Sequence, residues 1–391
     1  MLHFGGRILE APAVVRGGTF RAATLEATWR RFAPAARRAG ITRIAELTGL
    51  DTLGIPVYAA VRPLGRSLST QQGKGASPLA AKVSALMESL ETWTAEHVAL
   101  PVTRGSYREL RARRRGPRPV DPRRLPRARA RLDLGARWRW VEGRDLLADA
   151  PVLVPLEAVT LDTTFRAPPT FDISSNGLAS GNNLVEAILH GLCEVLERDA
   201  EAAWRRAGGD RRLVLDTLED PLCLSLIEKI VAAGARVWVW DLGGAELATI
   251  GCAIMHDPAD VTWRPLGFYQ GFGAHPEPAV AIARALTEAA QTRLTYIAGA
   301  RDDFFPFDYA KATDPGLLAE LWERLAAPCD EPIAFDELPR LAADDLGEAL
   351  AELVARVGSS VIAVDLTHPE LRVPVVKVIV PGRATDVEAM G

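Results

Sequence analysis

The sequence predicts an α+β fold in which mixed sheets pack against long helices. Apolar residues recur at the helical period in some segments and alternate in others, without the strict strand–helix alternation of a doubly wound sheet. The chain has 391 residues, 48% hydrophobic and 25% charged. Those are ordinary globular values, so wholesale disorder is excluded and one elaborated domain is expected. No run approaches the ~20 apolar residues needed to span a bilayer, so no membrane span is expected. The start, MLHFGGRILE, lacks a basic segment leading into an apolar one, which argues against a secretory signal. Cys193, Cys223, Cys252 and Cys329 form no CxxC pair. A zinc site or disulfide framework is therefore not expected, and a reducing cytoplasm is.

In chain order, residues 1–103 read as strand, helix, strand and long helix. ATLEATWRRFAPAARRAGI has helical spacing, and IPVYAAVR is a short strand between Pro56 and Pro63. A long helix begins at Ser77-Pro78, a hydroxyl cap followed by proline at the first helical position. Residues 104–139 form an Arg/Pro-rich stretch that breaks periodicity and is expected to be a surface insertion or linker. In 140–391, the expected strands are PVLVPLEAV (after ARWRWVEG, which straddles the boundary), RVWVWDL, ATIGCAIMH, SSVIAVDL and VPVVKVIVP. Long helices are expected from about Leu184 to Arg206, stopped by Gly208 and Gly209, and over PAVAIARALTEAAQTRLTYIAG; LGEALAELVARVG is a shorter one. Trp238 and Trp240 alternate with valines, which suggests one core side and one surface or interface side.

Charge is uneven. The net value is −4, yet residues 104–139 hold fourteen arginines against Glu109, Asp121 and Asp133. Few aromatics accompany them and the remainder is acidic, so nucleic-acid binding is not expected.

The chemistry concentrates on three helix faces. On the first, Ser84, Glu88 and Glu91 are spaced i, i+4, i+7. Upstream lies QQGKG, where glycines flank Lys74 before a helix N-terminus. That suits an anion, although an ordinary surface loop reads the same way. It is not a Walker A loop, because no GxxxxGK precedes a Ser or Thr. On the second, Glu186, His190, Glu194, Glu197 and Glu201 share one narrow face opposite an apolar seam of Val185, Ile188, Leu189, Leu192, Val195 and Leu196. Like charges at i,i+4 cost ~0.2–0.5 kcal/mol each, so a face of four glutamates without an interleaved cation wants a neutralising partner. Hard divalent cations prefer such oxygens; a solvated acidic face is the bland alternative. On the third, Arg284, Glu288 and Gln291 repeat the i, i+4, i+7 spacing. Jointly the carboxylates can hold Mg²⁺, and Lys74, Arg198 and Arg284 can balance a triphosphate. His97, His256 and His275 are isolated and read as structural, and Cys193 as inert packing.

Three segments, QGKGASPLAAKVSALMESLETWTAEH, SNGLASGNNLVEAILHGLCEVLERDA and GAHPEPAVAIARALTEAAQTRL, resemble the signature segments of the YcaO family, in order, from about Gly40 to Asp303. The resemblance implies one YcaO-type domain over 1–391. Its first motif lies in 1–103, and the second and third lie in 140–391. It also implies an ATP site whose Mg²⁺ ions are held by glutamates. Position by position, the metal-binding residues would be Glu88, Glu91, Glu186, Glu194, Glu197 and Glu288. Nucleotide contacts would come from Lys74, Ser84, Asn182, Arg198, Arg284 and Gln291.

The implied activity is ATP-dependent phosphorylation of a peptide backbone amide, with no nucleophile supplied by the protein. Attack by a neighbouring Cys, Ser or Thr gives an azoline; attack by external sulfide gives a thioamide. Azoline-forming members typically end in PxPxP, whereas this sequence ends PGRATDVEAMG. GITRIAELTGLDTLGIPVYAAVRP is similar to members that work with a TfuA partner. Both favour a thioamide, made on a ribosomal peptide or protein with a TfuA-like partner. A cytoplasmic homodimer is expected. Cyclodehydration and a non-catalytic nucleotide-binding scaffold are the alternatives.

Overall fold

The computed structural model describes residues 2–15, 19–128, 131–164, 168–259 and 267–383. The chain starts with a two-stranded hairpin, β1 (His3–Phe4) and β2 (Arg7–Ile8), and helix α1 (Leu25–Phe32). Strands β3 (Arg43–Glu46), β4 (Val57–Val61) and β5 (Thr70–Lys74) form an antiparallel sheet that leads into α2 (Pro78–Glu96). Next come β6 (Thr103–Ser106), α3 (Tyr107–Arg111), β7 (Arg118–Pro119), β8 (Arg137–Asp145), β9 (Ala150–Pro155), β10 (Leu178–Ser180) and α4 (Leu184–Ala207). Helix α5 (Pro221–Ala232) precedes a second three-stranded antiparallel sheet of β11 (Ala235–Asp241), β12 (Ala248–His256) and β13 (Tyr269–His275), which leads into α6 (Pro278–Ala298). Then come α7 (Pro306–Ala312), α8 (Pro315–Ala326), α9 (Leu346–Val357), β14 (Ile362–Asp365) and β15 (Val375–Ile379). The largest sheet runs β10-β15-β14-β8-β9-β7, with β6 added on β8.

The α+β expectation holds, and the two small sheets explain how the site helices are placed. Each is a three-stranded meander whose last strand lies directly against the helix that follows. A Cβ on Gly73 of β5 would sit 1.9 Å from the Ala85 nitrogen of α2. One on Gly271 of β13 would sit 2.2 Å from the Ala289 nitrogen of α6. No side chain fits at either position, so the glycines set the strand–helix distance. The QQGKG segment is therefore the end of a strand, not the phosphate-type loop its glycines suggested.

Two more expectations change. The Arg/Pro-rich stretch is only in part a surface segment. Its arginines are largely exposed, but β6 pairs with β8, β7 pairs with β9, and Tyr107, Leu110 and Leu125 are buried in the core. Strand β11 presents no bare tryptophan side. Trp240 is buried against Trp204, and Trp238 packs on Trp322 and donates to the Leu325 carbonyl at 3.0 Å. Among the described residues no helix is long and apolar enough to cross a membrane. The terminal residues 384–391, to which the PxPxP comparison applies, lie outside the described ones.

Candidate active site

Three helices carry the site, and their starts are fixed by their own sequences. Ser77 accepts from the Ala80 nitrogen and puts Pro78 in the first turn of α2. Asn183 accepts from the Glu186 nitrogen at the start of α4, and Pro278 opens α6. Glu88 and Glu91 of α2, Glu194 and Glu197 of α4, and Glu288 of α6 thereby come within electrostatic reach of one another. Lys74, at the end of β5, forms an ion pair with Glu288, whose other oxygen accepts from the Phe272 nitrogen at 3.3 Å.

The acidic face of α4 is covered rather than solvated. Glu197 is 2% exposed, Glu91, Glu194 and Glu288 are half-buried, and Glu88 is exposed. Loss of hydration is the largest cause of the upward shifts in this group. It raises Glu88, with help from Glu288 and against the pull of Lys74, Arg301 and Arg284. It lifts Glu91 well above the usual carboxylate range, helped by Glu88 and Glu194. Glu194 rises to about 7 and Glu197 also rises, against the pull of Arg198. Glu288 goes the other way: burial opposes its charge, but Lys74, Arg198 and Arg284 outweigh it. His190 and His275 are held neutral by burial and by Arg284 and Arg21, with His275 down at about 3. Cys193 is pushed by burial to about 12, which fits inert packing.

The residues expected from sequence do not all occupy one place. Lys74, Glu88, Glu91, Glu194, Glu197, Arg198, Arg284 and Glu288 are brought together. Arg284 contacts His190 Nε2 at 3.0 Å, and Gln291 donates to the Gln72 carbonyl at 3.1 Å. Ser84 stands one turn before Glu88 on α2. Glu186 and Asn182 are engaged elsewhere. Both Glu186 oxygens are taken by Arg21, the Ala22 nitrogen and Asn182, and Asn182 accepts from Thr28 at 2.9 Å. A metal role for Glu186 would need Arg21 to give way.

Sequence reasoning missed three neighbours. Ser180 of β10 donates to Glu91. Arg301, just beyond α6, faces Glu88. Lys377 of β15 is 4% exposed and faces Glu194 and Glu91, with its ammonium pushed down to about 8 by burial. Its signal was available: a lone lysine within VPVVKVIVP.

Hard oxygens and flanking cations suit a magnesium nucleotide. Among the described residues Glu197 Oε2 is buried without a donor, and Arg284 Nε is buried without an acceptor. Among the described residues no three side chains converge to cage an ion. Mg²⁺ does not require a cage, since it keeps waters and is bound through one or two carboxylates plus phosphate oxygens. Glu88, Glu91, Glu194 and Glu197 would hold it, while Lys74, Arg198 and Arg284 would face the phosphates.

Comparison with known proteins decides the family. The family model described as "YcaO cyclodehydratase, ATP-ad Mg2+-binding" matches residues 72–384. The chain belongs to the YcaO family. An uncharacterized protein from the tfuA 3′ region of Rhizobium leguminosarum bv. trifolii is 37% identical over 380 residues, covering 94% of this chain and 89% of the relative. An uncharacterized protein of Mycobacterium tuberculosis is 37% identical over 385 residues, covering 94% and 83%. The solved structure of YcaO from Methanopyrus kandleri bound with AMPPCP and Mg²⁺ has a TM-score of 0.78 at 28% identity, covering 97% of this chain and 96% of that one. A heterocyclase in complex with substrate and cofactor shares the fold, with TM-score 0.78 at 21% identity. The YcaO match spans all three site helices.

Proposed function

We propose that this YcaO protein uses Mg²⁺ and ATP to activate a backbone amide of a ribosomally made peptide or protein, and that it exchanges the amide oxygen for sulfur. The observation that carries the ATP part is the covered carboxylate cluster with its flanking cations. It has the charge layout a magnesium triphosphate needs. The Cys193 thiol is held protonated, and no described residue forms a Ser–His–Asp set with His190 or His275. The Methanopyrus neighbour bound with AMPPCP and Mg²⁺ supports the same reading.

In the proposed reaction hydrosulfide adds to the amide carbon and the amide oxygen accepts the γ-phosphoryl group of ATP. The C–O bond then breaks with phosphate as the leaving group. The products are a thioamide, ADP and phosphate. Lys74, Arg198 and Arg284 stabilise the charge on the phosphoryl oxygens, where fixed donors in a covered site act most strongly. Bound Mg²⁺ would supply the remaining positive charge.

Support for sulfur as the incoming atom, and for a TfuA-like partner, comes from the 37% identical relative in the tfuA 3′ region. The second reading is an azoline-forming cyclodehydratase, the activity in the family description. Product mass separates them. The full chain with a TfuA-like protein, ATP, Mg²⁺, sulfide and a substrate peptide should give a product heavier by the difference between sulfur and oxygen, with thioamide absorbance. Sulfide-independent loss of one water that requires a neighbouring Cys, Ser or Thr would establish the azoline reading instead.

A further inference from the structure

Lys377 belongs to more than the carboxylate cluster. It also lines a solvent-connected cavity with Asp172, Ser174 and Asn176, rimmed by apolar side chains that include Leu125 and Ile379. Its ammonium donates to the Ser174 carbonyl, and its charged neighbours are Glu194, Asp172 and Glu91. Glu88, Glu197 and Glu288 face Lys74 instead. The cavity thus adjoins the carboxylate cluster through a cation separate from those assigned to the phosphates.

The polar atoms of this cavity are mismatched. Asp172 Oδ2 and Asn176 Oδ1 are both buried and neither receives a hydrogen bond from the described residues. A buried acceptor without a donor costs free energy, so such atoms in a cavity point to a ligand that brings donors. An ammonium has three N–H bonds to place, and among the described residues Lys377 places one of them, on the Ser174 carbonyl. The complementary ligand has N–H groups for Asp172 and Asn176, an acceptor for Lys377, and a body that tolerates an apolar rim. A peptide main chain supplies one N–H and one C=O per residue and fits that description.

We propose that the Asp172–Asn176–Lys377 cavity is a subsite for the backbone of the substrate peptide, gripping main-chain N–H groups through Asp172 and Asn176 and a main-chain carbonyl through Lys377. The inference rests on the peptide-substrate reading above and adds where the peptide lies. Main-chain recognition tolerates many side chains, so this subsite would fix position along the chain more than sequence.

The test titrates acetyl-triglycine amide into the full-length protein, with and without AMPPCP and Mg²⁺, and follows broadening of the acetyl methyl signal by NMR. Acetyl-trisarcosine amide, whose internal amides carry no N–H, is the control. Expected is saturable binding of the triglycine peptide and binding about tenfold weaker for the trisarcosine peptide, the scale of losing hydrogen bonds to charged partners. Asp172→Leu and Asn176→Leu, at half-buried positions, should weaken the triglycine peptide and leave AMPPCP binding in place. Lys377→Met should weaken it as well, provided its circular dichroism spectrum matches the parent. Equal binding of the two peptides, equal binding by parent and the two leucine variants, or no saturable binding by the parent overturns the subsite and leaves a water-filled cavity. Failure of the parent to bind AMPPCP would instead sink the ATP reading, while the nucleotide-free titration still decides the peptide subsite.

Discussion

Glu197 has a buried carboxylate oxygen with no donor among the described residues, and Glu288 disfavours its charge while Arg198 favours it. Glu194, one turn earlier on α4, is raised to about 7 and is therefore near half-protonated at neutral pH. Both shifts say that the folded protein resists full ionisation of this face in the absence of a cation. Glu194→Gln and Glu197→Gln remove one negative charge each and retain the side chain's size. Each is expected to raise the melting temperature of the metal-free protein by a few degrees at about pH 8, where the charge is otherwise enforced. Each should also abolish ATP turnover, because an amide is a far weaker ligand for a hard cation. Scanning calorimetry and phosphate release measure the two effects on the same samples. Retained turnover in both variants would remove these residues as Mg²⁺ ligands.

At the scale of elements, the helices were legible in the sequence because their signals are local. Ser77-Pro78 and Gly208 mark helix ends by capping chemistry, and the glutamates fall on one face by periodicity alone. The strands feeding those helices were not legible in the same way. β5 reads TQQGK, polar and glycine-bearing, and looks like a loop because its pairing with β4 and its contact with α2 are both non-local. β13 was missed for the same reason: its Gly271 and Gly273 lack the side chains that mark a strand, and only the alanine-rich face of α6 explains them. Gly73→Ala tests this account. The added methyl would meet the backbone of α2, not a side chain that could swing aside, so overpacking should cost about 1–3 kcal/mol or more. Glycines elsewhere differ: Gly49 has open space around its Cβ position and no positive φ. Urea unfolding of Gly73→Ala should show that loss; an unchanged midpoint would mean that β5 does not lie against α2.

Across the whole molecule, two meander-and-helix units and the α4 layer meet at one acidic cluster, so the charge state of a few residues is linked to the stability of the entire fold. The sign depends on which groups titrate differently in the folded and unfolded states. Glu88, Glu91, Glu194 and Glu197 are raised, so the folded state holds protons that the unfolded chain has already released, and stability falls as pH rises through their folded values. His190 and His275 are lowered, so they work in the opposite direction, but only below their unfolded value of about 6.5. Glu288 is lowered and loses its stabilising charge only in acid. Lys377, lowered to about 8, adds stability with rising pH only as it deprotonates near and above that value. The window in which the raised carboxyls, Asp172 and Asp241 among them, act without the histidines or Lys377 is therefore about pH 6.5 to 7.5. Across it the melting temperature of the metal-free protein should fall as pH rises. Mg²⁺ with AMPPCP should reverse the slope, because cation binding needs the ionised carboxylates and grows stronger as they lose protons. Scans at several pH values, with and without the magnesium nucleotide, measure both slopes. A metal-free melting temperature that rises across the window, with no larger ligand effect at its upper end, would show that the cluster does not hold raised, partly protonated carboxylates.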